Sequence, residues 1–417
     1  MTTDIRARIQ AANAEAFNRI TAADPVLVDI LPAGQVVPGL EDRMVLHSGP
    51  PVDWEQMCGA QRGAVAAMVM FEGWANDFAQ ADELLSRADI KLDSNHHHGA
   101  VGPMAGTITK SLPVYVVENR SFGNRAYSRV VEDKQQFGDY SRDAIHTLEM
   151  WRDVWAPALA QGVRQMGGLS LKPLATRALQ MGDELHNRTN AASSLFAAAV
   201  AAPMVKAGVE REMLSQAMSY ICGQDSLFLG LSMAYAKAAT DPARNIEHST
   251  VVTAMARNGC QFGIQISGLN GEWFSAPAPM VDGLYLPGYN EDDAGLDMGD
   301  SAITETVGWG GFALGGAPAI LSRVGGTPSE ALSHSRDMRG ITVGSSPDFL
   351  IPALDYEGVA VGIDIRQVVQ TGILPIIDTT IAHKNPGHAI IGAGLVRPPM
   401  ECFHQALRAF AAKYGVG

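Results

Sequence analysis

The run Ala191–Ala202 reads AASSLFAAAVAA and sits inside a stretch from about Ser141 to Thr240 that is rich in Ala, Leu and Met. Alanine has the strongest helix preference and a very small side chain, so this stretch predicts a largely helical middle region of closely packed helices. On its N-terminal side, Ile5, Ile9, Ala12, Ala16 and Ile20 recur at helical spacing and predict an amphipathic opening helix that closes before Asp24-Pro25. Val26–Leu31 reads as a short apolar strand, Pro32–Pro51 as a Pro/Gly-rich connection, and Asp53 with Gln56 as a capping pair opening a helix toward Glu72. A polar helical stretch to about Ser86, a loop Asn95–Gly106 and an apolar run Val114–Val117 follow. On the C-terminal side, Asp241 as N-cap, Pro242 and the Asn258-Gly259 stop predict a helix of about sixteen residues, feeding a strand Gln261–Ile266. Beyond it, apolar runs (Gly283–Leu286, Ile373–Ile377, Ala389–Ile391) alternate with glycine-dense loops such as Gly308–Gly316. The length predicts two or three domains, and the pattern divides the chain into a mixed α/β region 1–140, a mainly helical region 141–242 and an α+β region 243–417.

Composition narrows the function classes. The 417 residues carry 31 basic and 44 acidic side chains, a net charge of −13, with 47% apolar and only 18% charged residues, which is the balance of a core-forming globular chain. An acidic chain without a Lys/Arg cluster argues against a nucleic-acid partner. Cys58, Cys222, Cys260 and Cys402 are far apart and form no C-x-x-C or zinc-finger spacing, so reduced cysteines in the cytoplasm are expected. Met1–Ala11 carries Asp4, Arg6 and Arg8 where a signal peptide needs an apolar run, and the longest apolar stretch, Leu195–Val205, is too short for a membrane span. No Walker loop, H-E-x-x-H, G-x-S-x-G elbow or EF-hand loop occurs, which argues against ATP-driven, zinc-protease and α/β-hydrolase chemistry. Gly308–Ala313 satisfies G-x-G-x-x-A but lacks the preceding strand and the later acidic residue of a dinucleotide site. No metal site and no cofactor is expected.

Three segments could carry chemistry. In Asn95–Gly106, three successive histidines precede glycines whose backbone N–H groups can approach an anion, so the loop reads either as a substrate loop with a histidine acid/base or as a surface loop with solvated imidazoles. In Met181–Asn190, a helical conformation would put Asp183, His186, Asn187 and Asn190 on one face with Glu184 and Arg188 as an i,i+4 pair beside it. That face could hold a base, its orienter and an anion-binding arginine, or be a solvated helix face. The third group, Arg257-Asn258-Gly259, Trp273–Ala278 and Gly299–Thr306, combines donors, hydroxyls and carboxylates in loops suited to a polar ligand. Ile381–Gly387, with His383 and Lys384, could supply an imidazole and a cation or be an ordinary turn.

These segments also carry a resemblance. HSGPPVDWEQMCG from His47, HHHGAVGPMAG from His96, MGDELHNR from Met181, GDSAITET from Gly299 and GIDIRQVVQTGILPIIDTTIAHK from Gly362 are together similar to a family long catalogued as a domain of unknown function and later linked to oxamate carbamoyltransferase of allantoin degradation. The likeness covers nearly the whole chain. It implies an α+β chain of several small domains acting as a subunit of an assembly that exchanges a carbamoyl group between oxamate and phosphate. The S-x-R-T-R and H-P-x-Q segments of aspartate and ornithine carbamoyltransferases are absent, so such an activity needs a different site.

That site must hold an anion, polarise a carbonyl and move a proton at an amide nitrogen. The expected assignment gives the backbone of Gly102, Met104 and Gly106, with Arg188, to phosphate or carboxylate; His97 or His98 to the carbonyl; and Asp183 with His186 to the proton. Asn187, Asn258, Asp300 and Thr304 would orient the amide, and His383 is a further binding candidate. The expected partners are a small anionic amide or carbamoyl substrate, phosphate and further copies or pathway subunits. Two rivals use the same residues: a hydrolase or lyase of a related amide or ureido compound, and a non-catalytic scaffold subunit.

Overall fold

In a computed structural model describing residues 3–415, the opening helix Thr3–Thr21 forms as its periodicity predicts, with Ile9, Ala16 and Ile20 buried. It leads into the strand Pro25–Pro32, one residue longer at each end than the apolar run predicts. This strand lies in a five-stranded sheet between Pro113–Asn119 and the edge strand Leu169–Ser170, and beyond Pro113–Asn119 follow Arg125–Arg129 and the other edge, Ala100–Val101. The central pairing is antiparallel, with Leu27 opposite Val117 and Ile30 opposite Tyr115, so four large apolar side chains share the sheet interior.

The middle region is mainly helical: Arg142–Met150, a π turn at Trp151–Trp155, Ala156–Gln165, Leu171–Gln180, Asn190–Lys206, Arg211–Cys222 and Phe228–Thr240. In the alanine-dense helix, Ala192, Phe196, Val200 and Met204 form the buried stripe at four-residue spacing. Phe228–Thr240 is buried on every side, because it lies between the five-stranded sheet and the segment Asp300–Val307. Its all-round apolar sequence is that of a helix enclosed by protein. One apolar core runs from Ala12 to Val361 through this region.

The remainder supplies a four-stranded antiparallel sheet (Phe274–Pro277, Gln261–Ile266, Val252–Asn258, Met298–Gly299), a three-stranded sheet (Asp282–Tyr285, Ile390–Val396, Ile377–Ala382) and the hairpin Thr342–Ile351 with Glu357–Ile363. The last helix, Met400–Tyr414, packs on the four-stranded sheet around a second core. The chain is α+β, with several separate sheets. Among the described residues, no helix is long and apolar enough to cross a membrane.

Three local expectations are corrected. Asp241 and Pro242 open only a short 3-10 turn, Asp241–Ala243, and the expected helix is replaced by the strand Val252–Asn258. The β-branched run Val251–Thr253 favours a pleated backbone, and Asn258-Gly259 is the hairpin turn into Gln261–Ile266. Asn258 makes that turn: its Oδ1 accepts N–H bonds from Cys260 at 2.9 Å and Gln261 at 2.7 Å. Met181–Asn190 is likewise not helical. The helix ends at Gln180, Leu185 has φ +70°, and the next helix begins at Asn190. At Asp53, a short 3-10 turn Trp54–Gln56 precedes the helix Gly59–Phe71, and the Asp53 side chain makes no capping bond.

Candidate active site

The histidine loop is fastened from beneath by Asp300. Its Oδ1 accepts the Gly49 N–H at 2.8 Å, and Oδ2 accepts Asn95 Nδ2 at 2.8 Å and the Gly102 N–H at 3.0 Å. One buried carboxylate thus ties together the blocks beginning at His47, His96 and Gly299. His96 is enclosed beside it, with Nε2 3.5 Å from Asp300 and its ring edge-on to Trp273, and burial holds its pKa below the ordinary histidine value. His97 and His98 turn the other way. His97 Nδ1 meets Asp93 at 2.7 Å, while His98 uses Nδ1 on the Pro38 carbonyl at 2.7 Å and Nε2 on Asp93 at 3.1 Å.

The glycine segment that follows is closed on itself. A Cβ on Gly102 would stand 2.5 Å from the Gly106 Cα, and the N–H groups of Gly102, Ala105 and Gly106 already bond to Asp300, the Gln136 carbonyl and the Pro103 carbonyl. These N–H groups therefore do not form the expected open anion cradle. The segment contributes Pro103 and Met104, which reach the wall of a cavity of about 350 Å³.

That cavity gathers side chains from distant parts of the chain: His186 and Asn187, Ser301, Arg323, and Thr379 with Thr380. His186 is the imidazole on its wall. The Nδ1 atom lies 2.8 Å from Glu305 Oε1, leaving Nε2 as the ring nitrogen for a ligand. Glu305 is itself pinned, within 3.1 Å of the Gly311 N–H and 3.0 Å of the Thr304 hydroxyl. This contact fixes Gly310: a Cβ there would fall 2.0 Å from Glu305 Oε1, and its φ is +60°.

Behind His186 lies a group of buried carboxyls. Glu184 accepts the backbone N–H groups of His186, at 2.9 Å, and Arg188. Asp378 Oδ1 accepts Asn187 Nδ2 at 2.8 Å, while Oδ2 has no partner. Burial drives the Glu184 pKa well above its ordinary value and pushes Asp378 up to about 7, the neighbouring carboxylates adding to both shifts. The folded chain therefore holds a proton on Asp378 that the unfolded chain releases near 3.8. Because the folded state binds the extra proton, stability falls as pH rises from about 4 to about 7, and the loss persists above that. Asp378→Asn is expected to flatten this slope and raise stability most on the alkaline side, read from urea midpoints at about pH 5 and about pH 8. A slope equal to wild type would contradict the assignment.

Arg257 braces the opposite wall. It forms a fully buried two-pronged pair with Asp297 at 2.6 and 2.9 Å, and also donates to the Gly299 carbonyl at 2.7 Å and Thr379 Oγ1 at 2.8 Å. Asp183 accepts the Ala192 N–H at 2.8 Å in the first turn of Asn190–Lys206, and Arg188 Nε lies 3.6 Å from it. The expected Asp183–His186 and Glu184–Arg188 pairings are thus replaced by His186–Glu305 and Arg188–Asp183. His383 stands apart, stacked on His388 at 3.7 Å beside a second cavity of about 250 Å³ that includes Cys58 and Lys384.

Of the expected site residues, Met104, His186 and Asn187 meet at the main cavity; Asp300 and Thr304 support it from the core, and Asn258 shapes a hairpin. His97, His98, Arg188 and His383 do not line it. Sequence reasoning assigned no role to Glu305, Asp378 or Arg323. Glu305 and Asp378 lie inside quoted blocks, where a carboxylate in an otherwise apolar or hydroxyl-rich run is the available signal. Among the described residues, no three His, Cys, Asp or Glu side chains are arranged to hold a metal.

Residues 90–301 match the family model described as oxamate carbamoyltransferase subunit AllG. The chain is 40% identical over 415 residues to oxamate carbamoyltransferase subunit AllG of Escherichia coli (strain K12), covering 98% of this chain and 99% of the relative. It is 44% identical over 412 residues to the uncharacterized protein YahG of the same strain, covering 98% and 87%. A crystal structure of a conserved protein of unknown function from Enterococcus faecalis V583 superposes with a TM-score of 0.96 at 42% identity, over 98% of this chain and 99% of that one.

Proposed function

The chain belongs to the family of oxamate carbamoyltransferase subunit AllG, and from that premise we propose that it is a catalytic subunit moving a carbamoyl group between phosphate and a small anionic amide such as oxamate. The observation that carries this reading is the cavity in which His186, held through Nδ1 by the buried Glu305, shares a wall with Arg323. In transfer to oxamate, the amide nitrogen attacks the carbamoyl carbon of carbamoyl phosphate. Its N–H proton passes to His186 Nε2, the new C–N bond forms, and the C–O bond to phosphate breaks with its electron pair leaving on phosphate. In reverse, a phosphate oxygen attacks the ureido carbon and His186 returns the proton to the departing amide nitrogen. Arg323 supplies the positive charge for the anionic end, and Glu305 stabilises the imidazolium that forms.

The subunit name of the curated relative supports a multi-subunit assembly, so the assay uses the chain purified together with whatever subunits assemble with it. Formation of carbamoyl phosphate that requires both a ureido acid and phosphate is the expected result. Product release that ignores phosphate would make the protein a C–N hydrolase. Full activity with His186 removed would leave a scaffold subunit. Arg323→Met is expected to raise KM for the anionic substrate about 10- to 100-fold, the value of one charged hydrogen bond, with a smaller change in kcat. An unchanged KM would remove Arg323 from the binding site.

A further inference from the structure

We propose that Gln136 reads the carboxamide of the substrate, its side-chain oxygen accepting an amide N–H, so that the cleft takes primary amides and ureido acids over the corresponding carboxylates. This inference rests on the carbamoyl-transfer reading and names what recognises its substrate.

Gln136 lines the cavity that holds His186 and Arg323. It is buried, at 3% exposure, yet its Oε1 has no hydrogen-bond partner. Buried polar atoms are almost always paired, and an orphaned one on a side chain that lines a cavity calls for a ligand that completes it. Its neighbour provides the contrast. Gln135 spends its carboxamide on the scaffold, donating to the Ala64 carbonyl at 2.7 Å and accepting from Arg129 at 2.7 Å.

The backbone beneath Gln136 is fixed. Glu132 accepts the N–H groups of Lys134, Gln135 and Gln136 at 2.7 to 2.8 Å and pairs with the buried Arg129 at 3.1 Å. The Gln136 carbonyl accepts the Ala105 N–H at 3.0 Å. The turn's own N–H groups are therefore consumed by a carboxylate of the chain and are closed to an anion. What it offers the cavity is the Gln136 carboxamide. A carbonyl oxygen attracts an N–H donor and repels a carboxylate oxygen, so oxamate and oxalate, which differ by NH₂ against O⁻, are distinguished at this point.

The test uses the assembled enzyme, with thermal shift and KM as readouts. Wild type is expected to be stabilised more by oxamate than by oxalate. Gln136→Met, nearly equal in volume but without the acceptor, is expected to lose that preference and to raise KM for the ureido acid by at least about 100-fold, with KM for phosphate unchanged. Gln136→Glu keeps an acceptor and adds a charge, so it is expected to widen the oxamate preference. Wild-type kinetics and preference in both folded variants would overturn the assignment, as would an unchanged preference in Gln136→Glu if Gln136→Met does not fold. A wild-type assembly with no transfer activity would instead sink the carbamoyl-transfer reading, an outcome visible before any variant is made.

Discussion

Replacing His186 with Asn is expected to lower kcat of the assembled enzyme by about 10²- to 10⁴-fold, the range for removal of a positioned acid/base. The fold does not depend on its ring: the Glu305 carboxylate keeps the Gly311 N–H, at 3.1 Å, and the Thr304 hydroxyl, at 3.0 Å. Far-ultraviolet circular dichroism and subunit assembly should therefore stay as in wild type while turnover falls. Glu305→Gln is the sharper variant. It keeps volume, and its amide oxygen takes the place of Oε1, where Nδ1 and the Gly311 and Asp378 N–H groups all donate, so only the negative charge is removed. The imidazolium that forms when Nε2 takes the substrate's proton then has no countercharge at Nδ1. A drop of the same order in kcat is expected, with KM for phosphate little changed. Near-wild-type kcat in both variants would remove the pair from the chemistry and leave the cavity as a binding or regulatory site.

The way these residues meet shows what a sequence can and cannot disclose. Periodicity located the opening helix, the strand at Pro25–Pro32 and the helical middle region, because each is decided by local burial of one face. It failed at Asp241–Gly259, where one local signal admits two structures: Asn-Gly ends a helix or turns a hairpin, and the β-branched residues before it tip the choice. In Met181–Asn190 the sequence pointed to two residues that line the cavity, His186 and Asn187, but not to their wiring. His186 pairs with Glu305, 119 positions away, and Asn187 with Asp378, 191 away. No spacing rule reaches that far. The three histidines at 96–98 misled for a related reason, since an imidazole pattern does not reveal that Asp300 and Asp93 hold the rings in structural roles. Arg323, in the short helix Leu321–Val324, becomes visible only when folding brings it to the cavity wall.

The largest stability effect is expected at Arg257, and it separates support from chemistry. Arg257→Leu should destabilise the chain by about 3–5 kcal/mol, because it leaves Asp297 as an uncompensated charge at 0% exposure. It also frees the Gly299 carbonyl and Thr379 hydroxyl, which the guanidinium holds at 2.7 and 2.8 Å. The double variant Arg257→Leu with Asp297→Leu buries no lone charge and should recover much of the loss, since an apolar pair often replaces a buried ion pair at little net cost. Recovery in urea midpoint is therefore expected without recovery of activity: Thr379 lines the cavity and Ser301 follows the Gly299 carbonyl into it, and neither regains its anchor. If the double variant is as unstable as the single one, the damage comes from lost packing and hydrogen bonds rather than the orphaned carboxylate. If it is both stable and fully active, Arg257 does not position the wall, and the geometry around His186 alone must account for turnover.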